Sequence, residues 1–303
     1  MDIIRQTGSV PYERTVVALG NFDGMHTAHM TIIRKCIEYA KEHGCKSGVL
    51  LFSEHTRKLL SEKGVKIITP EKKKLEILRS AGIDFVYIRD FDNDFMHLSP
   101  EEFVKQLTSS LHTVAVCVGY DYRFGFKAQG DAKLLEELGK KYGFEAVVTD
   151  EIDSDGAAIK STLIRRLISE GNVEKAGELL GRYVSVEGAV AHGLENGRKM
   201  GIPTANIEYD SDSAIPKNGV YAGYTYVDGI KYKSVINVGN NPTFGADKIT
   251  IESHILDFNQ DIYDKVITAE FVKRLRGDIK FSGIDELIKQ INADIEQAGK
   301  DLI

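Results

Sequence analysis

The chain has no apolar run near the roughly 18–20 residues that a bilayer-spanning helix needs, so the sequence excludes a transmembrane segment of that kind. Its opening residues, MDIIRQTGSV, lack a basic stretch followed by an apolar one, and no secretory leader is expected. Cysteine is scarce. Cys36, Cys45 and Cys117 are odd in number and stand in no CxxC spacing, which supports neither a disulfide framework nor a zinc site. A reducing cytoplasm suits them. Tryptophan is absent altogether, which decides nothing. Positive charge is not in excess either: 39 Lys and Arg against 45 Asp and Glu leave a net charge of −6. No broad basic face is implied, so an anionic small molecule would need local positive sites. Internal repeats and low-complexity tracts are missing as well.

What remains is the composition of a folded globular protein, 42% hydrophobic and 28% charged over 303 residues. That length is too great for one compact core and suits two domains. The halves differ in texture. From about Thr15 to Glu151, TVVALG (15–20), SGVLLF (47–52), DFVYI (84–88), TVAVCVG (113–119) and EAVVTD (145–150) read as strands. Between them MTIIRKCIEYAKEHG (30–44), EKKKLEILRSAG (71–82), SPEEFVKQLTSSL (99–111) and DAKLLEELGKKYG (131–143) read as helices. Ser99 is set to cap the third, with Pro100 at its first position. This alternation predicts an α/β domain built on a doubly wound parallel sheet.

A helical stretch over 161–181 follows, and then the period changes. SVEGAVAHG, GVYAGYTYVDG, IKYKSVINVG, ITIESHILDF and KVITAEFVKRL lie between 182 and 281, with a hairpin turn signal at 226–229. Short strands without intervening helices predict a small antiparallel β-barrel. A C-terminal amphipathic helix follows, with Ile284, Leu287, Ile288, Ile291 and Ile295 on one stripe. The expected domains are 1–181 and 182–303.

In the first domain TVVALG runs into GNFDGMHTAHM, which opens a helix. Gly20 and Gly24 permit a tight turn at the C-terminal edge of the sheet, where doubly wound folds bind ligands. His26 and His29 are three apart and share a face beside the free N–H groups of the helix start, an anion site where two imidazoles can hold phosphate oxygens. A surface cap or an HxxH metal pair are the other readings, and no nearby cluster provides the third ligand that a metal needs. Asp121, in GYDYRFG after another strand, also lies at the ligand edge, where a turn Asp among core aromatics reads equally well. Ser161 and Thr162 precede a helix with Arg165 in its first turn, a pattern that capping alone also produces. His55, Met96 and His97 read as structural.

GNFDGMHTAH resembles the GxFDGxHxGH motif of the nucleotidyltransferase superfamily. With F-x-x-H at 52–55, GYDYRFG and STLIR, it is similar to the adenylyltransferase module of the bacterial bifunctional riboflavin kinase/FMN adenylyltransferases, the FAD synthetases. That resemblance implies a Rossmann-like unit that transfers AMP from ATP to the phosphate of FMN, giving FAD and pyrophosphate with Mg²⁺. It implies nucleotide contacts at Gly20, Phe22, Asp23 and Gly24, and charge stabilisation on the ATP phosphates by His26 and His29. Ser161, Thr162 and Arg165 would grip the same nucleotide, with Asp121 at the nucleotide end. Two residues depart from the pattern: Ala28 stands where the family has Gly, and Lys160 where it commonly has Ser.

In the second domain GRKMGIPTANI (197–207) carries Thr204 and Asn206, neutral oxygen ligands that alternation in an extended segment points to one side. Hard oxygens of this kind suit Mg²⁺ with substrate phosphates, and a capped turn is the plain alternative. Glu252 lies on a strand, on the face opposite Ile251, where most such residues are merely solvated. GRKMGIPTAN resembles the GRxxGFPTAN signature of riboflavin kinases, IESHILDFNQDIYDK their ExHLLDFxxDLYGK, and NPTF their RPTF. The resemblance implies a six-stranded barrel with a following helix and Mg·ATP bound by Thr204 and Asn206. Gly197, Arg198, Gly201 and Pro203 would contact ATP in the same segment. Glu252 would be general base on the ribityl hydroxyl, and Arg276 a flavin contact. Asp264 replaces the Gly of DLYG, and RGDIKF (276–281) replaces RDExKF.

The expectation is a cytoplasmic, bifunctional flavin-cofactor enzyme with Mg²⁺ as cofactor and ATP as co-substrate. Riboflavin and FMN are its expected small-molecule partners, with no nucleic acid, membrane or obligatory protein partner. A one-activity relative and a non-catalytic flavin- or nucleotide-binding regulator are the alternatives.

Overall fold

The computed structural model describes residues 1–5, 8–53, 64–154, 156–192, 201–240 and 249–302. His55, Gly197, Arg198 and the NPTF segment lie outside the described residues. The chain forms two compact units, Met1–Lys160 and Ser161–Ile303.

The first unit is built on six parallel strands: β1 (Asp2–Arg5), β2 (Thr15–Leu19), β3 (Lys46–Phe52), β4 (Phe85–Arg89), β5 (Thr113–Gly119) and β6 (Glu145–Thr149), in the order β1-β4-β3-β2-β5-β6. Helices α1 (Thr27–Glu42), α2 (Glu71–Ala81), α3 (Asn93–Met96), α4 (Pro100–Leu111) and α5 (Ala132–Tyr142) connect them. Alternate strand residues enter opposite cores. Val16, Ala18, Val49 and Val86 pack with Ile33 and Cys36 of α1, whereas Val17, Leu19, Leu50 and Phe85 pack with Val104 and Leu107 of α4. That is the consequence of a two-residue period in strands covered on both faces.

The local signals act as expected. Ser99 caps α4, accepting from the Glu102 N–H while the Glu102 carboxylate accepts from the Ser99 N–H at 2.8 Å, and Pro100 fills the first turn. β1 is absent from the sequence reading. It is a four-residue edge strand whose Ile3 is 42% exposed, so it shows no buried run. A small hairpin of β7 (Asp153–Ser154) and β8 (Ala157–Ala158) closes the unit.

The second unit begins with α6 (Ser161–Glu170) and α7 (Val173–Leu180), and α7 packs on the barrel strands that follow. Packing therefore divides the chain before this helical pair, whereas sequence texture divides it after. β9 (Val184–Ala191), β10 (Ala205–Tyr209), β11 (Gly219–Val227), β12 (Ile230–Asn240), β13 (Ile249–Ile255) and β14 (Val266–Arg276) close an antiparallel barrel in the order β10-β13-β12-β11-β14-β9. The β11–β12 hairpin turns on Asp228 (φ 50°) and Gly229 (φ 81°), the two positive dihedrals that a tight two-residue loop requires. Tyr221 and Phe271 meet edge to face inside, and the buried Thr225 hydroxyl is satisfied by Ser234 at 3.0 Å and Ser253 at 2.7 Å.

Helix α8 (Ile284–Asp301) differs from its sequence reading. Its buried residues are Asp294 and Ala298, whereas Ile284 is 60% exposed and Leu287, Ile288 and Ile291 are half-covered. Asp294 is drawn inward because it holds Arg276 of β14: Arg276 Nη2 donates to Oδ2 at 2.8 Å and Nε to Oδ1 at 3.1 Å.

Candidate active sites

In the first unit, β2 leads to β3 on one side of the sheet while β5 lies on its other side, so the gap between β2 and β5 is the topological switch point where open α/β sheets bind ligands. The turns after these two strands carry the first-domain candidates. After β2 the chain passes through Phe22 (φ 45°), Gly24 (φ 88°) and Met25 (φ 44°), and left-handed conformations at two bulky non-glycine residues mark a turn held against its preference. Its anchors are visible. The Phe22 ring is fully buried beneath Gly20, where a Cβ would come within 3.2 Å of it. The buried Asp23 carboxylate accepts the backbone N–H groups of Ile68 and Thr69, each at 3.2 Å. Gly20, Phe22, Asp23 and Gly24 thus shape the turn, and two of their side chains face the protein.

The turn delivers His26 to the N-cap of α1. Its Nδ1 accepts the His29 N–H at 3.3 Å, and the two rings stack at 3.6 Å and 18°. An acceptor Nδ1 assigns the proton of a neutral imidazole to Nε2, leaving that nitrogen as a donor. The first turn of α1 has no acidic residue of its own, and a helix start carries partial positive charge. Among the described residues no group of three His, Cys, Asp or Glu could hold a metal ion, so the HxxH metal reading lacks its third ligand there.

Asp121 sits in the turn after β5, across the switch point, and Ile32 of α1 reaches the same turn, 3.5 Å from where a Gly119 Cβ would stand. Lys160, the residue that departs from the family pattern, pairs with Asp121 at 3.3 Å. Ala28 is the second residue of α1, already helical. Ser161, Thr162 and Arg165 open α6 of the second unit, with Ser161 and Arg165 one turn apart on one face.

On the barrel, Gly201 adopts φ 77° and Pro203 precedes Thr204 and Asn206, which share a side while Ala205 between them is buried. Register places Asn206 directly opposite Glu252 of β13. Burial pushes the Glu252 carboxyl above the usual carboxylate range, and a hydrogen bond from Thr204 offsets part of that. A carboxylate so placed is a better proton acceptor than a solvated one. A cavity of about 330 Å³ opens at Thr204 and Asn206, lined also by Pro203, Ala205, Ser253, Ile255 and Phe258 among others. His254 fixes this edge, its Nδ1 donating to the Pro203 carbonyl at 2.7 Å. It passed unremarked in the sequence because its partner lies 51 residues away. Arg276 also lies on the barrel, its guanidinium engaged by Asp294 and the Gly277 carbonyl.

The chain is thus a doubly wound α/β unit with its candidates at the switch point, followed by a closed six-stranded barrel and a helix. Comparison with known proteins gives the same division: the family described as FAD synthetase matches residues 10–163, and the riboflavin kinase family matches residues 180–302. The bifunctional riboflavin kinase/FMN adenylyltransferase of Listeria monocytogenes is 37% identical over 282 residues, 92% of this chain and 90% of the relative. Those of Bacillus subtilis and Escherichia coli K12 are 34% and 33% identical, covering 94% and 96% of this chain and 92% and 94% of theirs. A crystal structure described as a macrolide-efflux protein from Streptococcus pneumoniae superposes with a TM-score of 0.89 at 30% identity, covering 98% of both chains. No helix among the described residues is long and apolar enough to cross a membrane. The chain belongs to the family of bifunctional riboflavin kinase/FMN adenylyltransferases.

Proposed function

We propose that the chain makes flavin cofactors in two steps. The C-terminal domain phosphorylates riboflavin to FMN with ATP, and the N-terminal domain joins AMP from ATP to FMN, releasing pyrophosphate. The names of the relatives and the order of the two family matches support this reading. The assigned domains are 1–181 for adenylyl transfer and 182–303 for the kinase, and the cytoplasm is their compartment.

The observation that carries the kinase reading is the meeting of Thr204, Asn206 and Glu252 on one outward face of the barrel. Glu252 takes the proton of the terminal ribityl hydroxyl as that oxygen attacks the γ-phosphorus of ATP, and ADP leaves. Gly201 and Pro203 shape the ATP edge beside the cavity, with Gly197 and Arg198 upstream of them. The oxygens of Thr204 and Asn206 suit Mg²⁺, a hard cation that prefers oxygen ligands, and when bound it neutralises charge on the transferring phosphate. Arg276, clamped by Asp294, marks the flavin end.

In the N-terminal domain a phosphate oxygen of FMN attacks the α-phosphorus of ATP while the bond to pyrophosphate breaks. Such a transfer needs alignment and charge neutralisation rather than a covalent intermediate. The Nε2 donor of His26, His29 stacked on it and the α1 N-terminus supply the charge stabilisation. Gly20, Phe22, Asp23 and Gly24 hold the turn that presents them, and Asp121 takes the nucleotide end. Ser161, Thr162 and Arg165 add hydroxyls and a guanidinium to nucleotide binding. Incubation of riboflavin with Mg·ATP, with FMN and FAD resolved by chromatography, tests the reading; flavin binding without either product overturns it.

A further inference from the structure

The pairing of Asn206 with Glu252 is part of a longer row. Glu252 also stands opposite Asn237 of β12, Asn237 opposite Val220 of β11, and Val220 opposite Arg276 of β14. Directly opposed residues share one face of a sheet, so the five lie side by side on the barrel's outer surface, at strand spacings of about 4.8 Å. Burial agrees with that parity: Val220 and Val235 pack outward beneath Ala298 of α8 and the Leu302 that caps it, while Ile236 and Val238 point to the interior.

The row assigns a side to each substrate. Thr204 and Asn206, the Mg·ATP ligands proposed above, lie on the β10 side of Glu252, which places the nucleotide there. In-line transfer requires the attacking oxygen on the far side of the γ-phosphorus from the leaving group. The acceptor chain therefore runs from Glu252 across β12, towards Val220 and Arg276. Asn237 is the polar side chain next along that path. Two residues on, Gly239 leaves the same face bare: a Cβ there would meet only the Asn237 carboxamide among the described residues, at 3.5 Å. A carboxamide both donates and accepts, which matches a chain of neighbouring hydroxyls better than it matches a phosphate.

We propose that Asn237 is a substrate-specificity residue of the kinase site, hydrogen-bonding the ribityl hydroxyls next to the one that is phosphorylated. The inference rests on Glu252 being the base, and it adds a residue that discriminates flavins by their side chain. A site built to hydrogen-bond a hydroxyl rejects the analogue that lacks it, so the ribityl chain contributes affinity here and its removal forfeits it.

The test uses the full chain and two probes, riboflavin and lumiflavin, which has the same ring system and a methyl group in place of the ribityl chain. Asn237→Ala and Asn237→Ser should weaken riboflavin binding by about tenfold, the scale of one to two neutral hydrogen bonds, and leave lumiflavin binding unchanged. The KM for ATP in the kinase reaction should hold, which shows that the barrel remains folded. The acidic limb of the kcat pH profile should stay in place, because Asn237 acts on the substrate and not through Glu252. Equal weakening of both flavins, unchanged riboflavin affinity, a moved pH limb, or joint loss of ATP and flavin binding in both variants would each overturn the assignment. Glu252→Gln, run alongside, separates the two readings: full turnover in that variant refutes the base and with it the site, whereas a dead Glu252→Gln with unaltered Asn237 variants refutes Asn237 alone.

Discussion

Asn206 and Glu252 stand directly opposite one another on β10 and β13, although 46 positions separate their numbers (252 − 206). Thr204, two residues before Asn206, gives its hydroxyl to the same carboxylate. The metal-ligand candidates and the base candidate are therefore one constellation, with Asn206 and Glu252 held by strand register and Thr204 at the entry to β10.

From that arrangement Glu252→Gln should lower kinase turnover by about 10²–10⁴-fold, because the amide keeps the shape and loses the basic site. Riboflavin affinity should change little. Stability should move the other way. A carboxyl whose folded pKa is raised favours the fold when protonated, and that favour is lost as pH rises through the folded value. That loss sets in above the ordinary carboxyl range, so at neutral pH the glutamine variant should melt at the same or a higher temperature. A clearly lower Tm at neutral pH would show that the carboxylate is structural.

The first unit is tested at His26, which is both a cap and a candidate catalytic residue. His26→Asn preserves a strong N-cap and removes the Nε2 donor, so helix α1 should survive while AMP transfer to FMN falls by about 10²–10³-fold. His29→Ala should act in the same sense. Riboflavin phosphorylation should be untouched in both. FAD formation at the wild-type rate in both variants would refute the assignment.

Ala28 occupies the second position of α1, so Ala28→Gly should cost up to about 1 kcal/mol of helix stability. Removing the methyl opens the approach to the turn, and the KM for ATP in AMP transfer should fall or stay level. A clear rise in that KM with stability preserved would mean that the methyl group contributes to nucleotide binding.

The α/β alternation was legible in the sequence because strands covered on both faces read as apolar runs, as at Val16–Leu19. The barrel was legible as a change of period and a Val-Asp-Gly turn. β1 was not, since an exposed edge strand has no such run. Phe22 and Asp23 could be found only as motif letters; their burial beneath Gly20 and against Ile68 and Thr69 is a tertiary fact. The stripe on α8 was legible, and Ile295 packs on a barrel cluster, but nothing local showed that Asp294 on the same face is buried against Arg276. Asn237 was invisible for a related reason: nothing local ties it to Glu252, and only the β12–β13 register does.

That ion pair gives a stability prediction. Arg276 and Asp294 are 17% and 6% exposed, so Asp294→Ala strands a guanidinium in a largely dry place. Breaking one side of such a pair costs about 3–5 kcal/mol, read as a lowered midpoint of barrel unfolding in denaturant. Replacing both partners by apolar residues of similar volume should recover much of the loss. A loss below about 1 kcal/mol would place the pair with ordinary surface bridges.

Two separate sites on one chain should make FMN and then FAD. The direct measurement is product analysis after riboflavin, or FMN, is incubated with Mg·ATP and wild type, Glu252→Gln or His26→Asn. Wild type should form FMN and then FAD. Glu252→Gln should make FAD only from supplied FMN, and His26→Asn should stop at FMN. No FAD from supplied FMN in Glu252→Gln, or no FMN from riboflavin in His26→Asn, with the protein still folded, would contradict two independent sites.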